Sequence, residues 1–257
     1  MLVVCAMGFY SCSSDDGEPE TPPTESSIVG KWDVQSNTRA AGDAKYGSFE
    51  FTADNKYIIT QPAVATNGDK YMIVIFGDYV VGNTESNDFT LNLKEFGTIK
   101  ISITENHASI TIDGVVYVAV KAAEVDLTEN TKKLCGTWNV KFIFSDNGDI
   151  YDETMIFTSA GTYFESDIDS DTGEINTENG TWSWKANNIL SVSYTSYWES
   201  TEASVIDPET GEIIPGKTET GVEYGVDEWK IIELTDTKFV AEYDDEGDKV
   251  TVRGTKK

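Results

Sequence analysis

The residues best suited to chemistry lie in the second half of the chain. Asp167, Asp169 and Asp171 alternate along Asp167-Ile168-Asp169-Ser170-Asp171-Thr172-Gly173, and Glu178 follows Asp167 by eleven positions. Alternating oxygens with a late bidentate carboxylate are what a hard cation such as calcium takes. Gly173 comes one place later than a helix–loop–helix calcium loop requires, so a solvated hairpin tip is the competing expectation. No cofactor other than calcium is expected. Aromatic residues crowd the same region: Trp182, Trp184, Tyr194, Tyr197, Trp198, Tyr224 and Trp229. Residues two apart on a strand share a face, which turns Trp182 and Trp184 together toward a core. Tyr197, opposite in phase to Trp198, and Tyr224 are the expected exposed platforms. Aromatic rings beside carboxylates suit sugar rings, so these two are the candidate ligand-binding residues.

Catalysis finds little support. His107 is the single histidine, at a turn-like Glu105-Asn106-His107. That excludes multi-histidine metal sites, and a Ser-His-Asp triad would rest on this one residue. Cysteine–histidine chemistry would need Cys135 to reach His107 across a domain boundary. Paired carboxylates hydrolyse glycosides, but among 45 acidic residues their presence discriminates nothing. The expectation is a protein that is not an enzyme, with no catalytic residues.

These groups need elements to position them, and the composition points to β-structure. The 257 residues include 11 Phe, 12 Tyr and 6 Trp, enough for packed β-layers. The formal net charge of −26 repels phosphate backbones, so no nucleic-acid partner is expected. No run of about 20 apolar residues is present to span a membrane as a helix. Residues 1–11 instead read as a signal-peptide core ending at a small residue, Ser11. Cys12-Ser13-Ser14-Asp15-Asp16 follows directly. It resembles the lipoprotein signals of Bacteroides-type outer-membrane proteins, in which the cysteine is acylated and an acidic cluster marks export to the surface. That resemblance implies lipidation at Cys12 and a surface-exposed, lipid-anchored protein of the outer membrane. With Cys5 removed and Cys12 lipidated, Cys135 has no partner for an internal disulfide. Residues 12–27 carry the lipidated cysteine, acids and three prolines, and read as a solvated tether.

The first β-region is placed at residues 28–122. Alternation is clear in Phe49-Glu50-Phe51-Thr52, Phe89-Thr90-Leu91-Asn92-Leu93 and Ile99-Lys100-Ile101-Ser102-Ile103. Asp113-Gly114 between two apolar alternations marks a tight hairpin. Residues 71–81 are more continuously apolar, as in a strand buried on both faces or one carrying a bulge. Residues 123–134 form a linker with a helical turn after Thr128. The second β-region, residues 135–257, repeats one turn formula at Asp146-Asn147-Gly148-Asp149, Asp171-Thr172-Gly173-Glu174, Glu209-Thr210-Gly211-Glu212 and Asp245-Glu246-Gly247-Asp248. Glycine third in a polar foursome supplies the positive φ that rejoins twisted strands.

The two regions are copies. Gly136, Trp138, Val140, Phe157-Thr158 and Tyr163 follow Gly30, Trp32, Val34, Phe51-Thr52 and Tyr57 at a constant offset of 106. Ile103-Thr104-Glu105-Asn106 then matches Leu234-Thr235-Asp236-Thr237 at an offset of 131, so the second copy has gained 25 residues. The gain is placed at about 199–224, as an inserted hairpin.

Gly-x-Trp opening a domain of about a hundred residues, twice and in register, resembles the lipocalin (calycin) family. More narrowly it is similar to the lipocalin-like domains of Bacteroides-type outer-membrane lipoproteins. The resemblance implies an all-β fold of two tandem antiparallel up-and-down barrels of about eight strands each. It also implies a Trp plug at one end of each barrel, Trp32 and Trp138, with a last-strand cation across the indole. Arg253 is the expected cation for Trp138, and Lys121 for Trp32. The functional expectation is non-enzymatic binding of a small molecule or glycan. The rival is an accessory subunit of an outer-membrane nutrient-uptake complex, with solid barrels and protein-binding loops.

Overall fold

The computed structural model describes residues 27–37, 44–168, 175–201, 205–206, 213–214, 216, 218–245 and 247–257. Residues 1–26, on which the expected signal segment, Cys12 and nearly all of the expected tether fall, lie outside this set, as do Asp169 and Asp171 of the expected cation loop. Alternating apolar positions make strands almost throughout. In the first region they are β1 (Gly30–Asn37), β2 (Ser48–Phe51), β3 (Lys56–Val64), β4 (Lys70–Glu85), β5 (Asp88–Leu93), β6 (Gly97–Thr104), β7 (His107–Ile112) and β8 (Val115–Lys121). Each pairs antiparallel with the next, and β8 returns to β1 to close a barrel. The helix α1 (Glu129–Leu134) follows, its N-terminus held by the Thr128 side chain accepting from the Thr131 amide.

The second barrel is built from β9 (Gly136–Phe144), β10 (Ile150–Phe157), β11 (Thr162–Ile168), β12 (Ile175–Ala186), β13 (Ile189–Thr201), β16 (Thr218–Leu234), β17 (Lys238–Asp245) and β18 (Asp248–Lys256). Between β13 and β16 lies a short hairpin, β14 (Val205–Ile206) and β15 (Ile213–Ile214). The fold is therefore all-β, two closed eight-stranded antiparallel barrels in tandem. Turn chemistry follows the sequence where it is described. Asp113 and Gly114 both take positive φ, as a two-residue hairpin demands, and Gly148 and Gly247 do the same. The other two glycine turns lie outside the described residues.

Each barrel is plugged at its N-terminal end in the same way. The Trp32 indole N–H donates to the Ile28 carbonyl at 2.9 Å, and that of Trp138 to the Leu134 carbonyl at 2.7 Å. Lys121 lies opposite Trp32 in the β1–β8 register, with its ammonium 5.7 Å from the ring centre. The cation over Trp138 is Lys256, directly opposite in the β9–β18 register and 5.0 Å from the ring centre. Arg253 does not fill this place. It pairs with Lys141 on the outward phase of β18 and is exposed, because side chains an odd number of positions apart face opposite ways. The glycine of Gly-x-Trp is explained by the same contact. Gly30 and Gly136 have φ of 121° and 130°, and a Cβ on either would lie 2.7 Å from the lysine Cε.

The opposite ends of the two barrels differ. In the first, Tyr46 packs on Phe49, Phe96 and Tyr117 with ring centres 5.2–5.9 Å apart, so aromatic side chains fill the barrel from end to end. Phe96 comes from the short β5–β6 turn. In the second barrel the equivalent connection is the insertion: β13 and β16 stay paired as far as Thr201 and Thr218, raising a two-stranded extension above that end.

The barrels pack side by side. Val74 and Phe76 of β4 turn outward onto Ile156 and Phe164, which accounts for the two-sided apolar character of that strand. A bulge between Val81 and Asn83 follows. Ile58 and Phe164, equivalent positions at the offset of 106, belong to the same contact cluster. Polar bonds frame the contact: Thr162 Oγ1 donates to Glu50 Oε2 at 2.6 Å, and Thr137 Oγ1 to Asp54 Oδ2 at 2.5 Å. Farther up, the Thr66 amide donates to Thr220 Oγ1 at 2.8 Å.

Candidate functional site

The strand phase that sends Trp138, Phe157, Trp182 and Phe239 into the closed end of the second barrel sends polar residues into its upper half. On β10 and β11 these are Glu153 and Glu165, which share the inward phase of Met155 and Tyr163. On β12 it is Glu178, two and three residue pairs above Trp182 and Trp184, and it lies opposite Glu165. On β13 and β16 they are Tyr194, Ser196, Glu223 and Asp227, and on β17 Tyr243 and Asp245. Glycine at 225 makes room: a Cβ there would fall 2.0 Å from the Tyr194 ring, which lies across it.

The wall beneath this mouth is aromatic. The Tyr243 ring stacks on Trp229 at 5.8 Å, and Trp229 packs edge-on against Phe142 at 5.9 Å. Tyr163 donates its hydroxyl to Glu178 Oε1 at 2.5 Å. Burial pushes the Glu178 carboxyl above its usual range; the Tyr163 bond opposes this, while Glu153, Asp227 and Glu223 add to it. Asp227 is likewise raised, by burial first and then by Asp245, with the Trp229 N–H acting the other way. The hydroxyls of Tyr163, Tyr194 and Tyr243 are all pushed up, by burial and then by these carboxylates. Negative groups gathered in a partly desolvated mouth raise one another in this manner.

The structure brings some of the sequence candidates together and separates others. A cavity of about 620 Å³ between the mouth and the first barrel is lined by Glu153, Glu165, Glu178, Asn179 and, at its edge, Tyr197 and Tyr71. Tyr197 stacks on Tyr71 of the first barrel, ring centres 4.6 Å apart and 17° from parallel. Tyr224 donates its hydroxyl to the Lys70 carbonyl at 3.0 Å. Both ligand candidates are thus partly exposed on the extension and also hold it against the first barrel. Glu178 lies inside the barrel on β12; Asp169 and Asp171 lie outside the described residues. Asp167 is placed on β11 opposite Asn176. Among the described residues no group of three or more His, Cys, Asp or Glu is arranged to hold a metal ion.

His107 opens β7 and is exposed. Cys135 is half-buried, and burial pushes its thiol up to about 11, far from the range of a working nucleophile. Sequence reasoning missed Glu153, Glu165, Asp227 and Tyr243, and named Tyr194 only among the crowded aromatics. The available signal was their phase: each lies an even number of positions from a core aromatic on its own strand (Phe157, Tyr163, Trp229 or Phe239), apart from Tyr194, which keeps phase with Leu190 and Val192.

No family model matches the chain, and no curated protein matches it. Among solved structures it is similar to a redesigned β-barrel, at 18% identity and a TM-score of 0.35, over 52% of this chain and 99% of that one. It is also similar to the transferrin-binding protein B Trp-176-Ala mutant, a vaccine antigen from Haemophilus parasuis Hp5, at 9% identity and a TM-score of 0.23, over 89% of this chain. A third is isotype 1 transferrin-binding protein B from serogroup B Neisseria meningitidis, at 10% identity and a TM-score of 0.15, again over 89% of this chain. This chain spans 58% and 43% of the length of those two proteins.

Proposed function

We propose that this chain is a non-enzymatic binding protein of the outer-membrane surface, held by a lipidated Cys12, whose second barrel captures a small molecule or glycan at its open end. The observation that carries the reading is the contrast between two copies of one fold. The first is filled by its own side chains and closed by Tyr46, Phe96 and Tyr117; the second instead turns Glu153, Glu165 and Glu178 inward, and these three reach the cavity between the barrels. Burying a set of acids in a barrel costs stability, and a solid barrel would serve packing better. A ligand site gives those acids a use. The lipid anchor and the surface location rest on the Cys12-Ser13-Ser14-Asp15-Asp16 motif. The reading as non-enzymatic rests on one exposed histidine and one thiol held far from reactivity.

The solid first barrel favours a second role for that half, as a scaffold that docks the chain in an outer-membrane complex. A thermal-shift screen of small molecules and glycans on the full chain tests the main reading. Hits should stabilise the wild type and lose their effect in Tyr194→Ala. Hits unaffected by that change, or none at all, would count against it. Labelled fatty acid should be incorporated by the wild type in cells and not by Cys12→Ala; equal labelling would remove the anchor.

A further inference from the structure

We infer that the mouth of the second barrel selects an amine cation that also carries a hydroxyl group, an amino sugar being the glycan form of that class. The inference rests on the binding reading above and narrows it. Three features converge on this chemistry. The first is charge. Glu178 and Asp227 share the inward phase of one barrel, and after burial the charges that raise both carboxyls are other carboxylates. A cation entering there relieves repulsion that the folded chain otherwise carries.

The second feature is the set of rings. Tyr163, Tyr194 and Tyr243 stand on the strands that flank these acids: β11 and β13 on either side of β12, and β13 and β17 on either side of β16. Aromatic faces attract ammonium groups, and most strongly where water is excluded. They also stack on the apolar face of a sugar ring. Carboxylates on different walls with rings between them suit an extended organic cation. A bare metal ion needs its oxygens converging at one point, and among the described residues none do so.

The third feature is a buried donor. Trp229 is 2% exposed, and its indole N–H has no hydrogen-bond partner. It lies near enough to the Asp227 carboxylate to hold the rise of that group down, but meets no acceptor at full hydrogen-bond geometry. A buried donor left without an acceptor is uncommon. An ammonium group cannot satisfy it, because it has no lone pair. A hydroxyl oxygen on the ligand can, which is why the class needs both groups. Trp32 and Trp138, the plugs of the two barrels, have their N–H groups bonded to backbone carbonyls, so the unmet donor of Trp229 is not a general habit of this fold.

Isothermal titration of the full chain with D-glucosamine, N-acetylglucosamine, glucose, spermidine and calcium chloride tests the inference. Glucosamine should bind, with N-acetylglucosamine and glucose weaker by about tenfold or more, as loss of one charged hydrogen bond implies. Spermidine, which lacks the hydroxyl, should fall between. Glu178→Gln with Asp227→Asn should weaken glucosamine by about tenfold, while Asp88→Asn on the exposed surface of the first barrel should not change it. Should the double variant fold poorly, the wild type supplies the test. Its affinity for glucosamine should fall as pH is lowered through the carboxylate range, because protonation removes the attraction. Equal binding of glucosamine and N-acetylglucosamine would overturn the inference and leave the binding reading intact. Calcium competing with glucosamine would overturn it in favour of a metal site. If none of the five probes binds, the amine class fails, and the screen described above decides separately whether any ligand uses the mouth.

Discussion

The Tyr163 hydroxyl donates to Glu178, whereas Tyr57, the equivalent residue of the first barrel, donates to the Lys94 carbonyl at 2.6 Å. Lys94 belongs to the short β5–β6 turn that the second barrel has replaced with its extension. One conserved position of the repeat therefore closes a barrel in one copy and orients a carboxylate in the other. Tyr163→Phe should cost about 1–3 kcal/mol by leaving a buried acceptor without its donor. Because the lost bond held the Glu178 carboxyl down, the cost should grow as pH rises from 5 to 8. Tyr57→Phe should cost a similar amount with no such trend. Urea unfolding of both at the two pH values is the check, and parallel trends would contradict the assignment.

The plugs make a second prediction. Lys256→Ala should destabilise the second barrel by about 0.5–2 kcal/mol through loss of the contact with Trp138. Arg253→Ala, on the outer surface, should stay within about 0.5 kcal/mol of the wild type. Gly136→Ala should cost about 1–3 kcal/mol, since it forces a positive φ on a residue with a side chain. Thermal unfolding followed by tryptophan fluorescence ranks the three, and an Arg253→Ala defect equal to that of Lys256→Ala would reverse the correction.

A third prediction concerns the seam between the barrels. Glu50 is 4% exposed, and burial raises its carboxyl above the usual range, with the Thr158 and Thr162 hydroxyls and Lys31 holding it part-way down and Asp33 adding to the rise. An acid whose folded value is raised is ionised more readily in the unfolded chain. The penalty is therefore absent at low pH, develops as pH climbs past the unfolded value, and is complete above the folded one. Asp54 opposes it: burial pushes its carboxyl up, but bonds from Thr137, Thr52 and the backbone win and leave it lowered. Its stabilising contribution is present above the unfolded value and is lost as pH falls through the folded one. Glu50→Gln should flatten the decline toward neutral pH and leave the acid limb unchanged. Melting curves from pH 3 to 8 would show this, and a variant less stable at every pH would count against it.

The stacked pair Tyr71–Tyr197 predicts coupling between the barrels. Single changes to alanine at either position should each lose the stack, and a double-mutant cycle should return an interaction of about 0.5–1.5 kcal/mol. A coupling near zero would mean that the extension stands free of the first barrel.

Much of the architecture was legible in residue order. The constant offset of Gly30, Trp32 and Tyr57 from Gly136, Trp138 and Tyr163 marks two copies, and alternation marks their strands. Lys121 was legible as the partner of Trp32, because the first copy ends soon after it. Its counterpart was misplaced at Arg253 because β17 and β18, at 8 and 9 residues, each exceed β7 and β8, at 6 and 7, by two. Longer strands moved the closing cation to Lys256, and local sequence does not reveal that register. The site was half legible. Tyr197 and Glu178 were singled out for different reasons, and only barrel closure brings both to one cavity. Asp227 and Tyr243 were not singled out, because alternation names two faces without saying which is inside once polar residues line both.

Where a ligand enters is reported directly by the indole N–H signals of the full chain. Glucosamine, or whichever neutral glycan outcompetes it, should shift the Trp229 indole resonance in a nitrogen–proton correlation spectrum, because a donor without a partner gains an acceptor. The resonances of Trp32 and Trp138, already bonded to Ile28 and Leu134, should stay in place. A saturable ligand that moves the Trp32 or Trp138 signals and leaves Trp229 unmoved would contradict the assignment of the second barrel's mouth as the binding site.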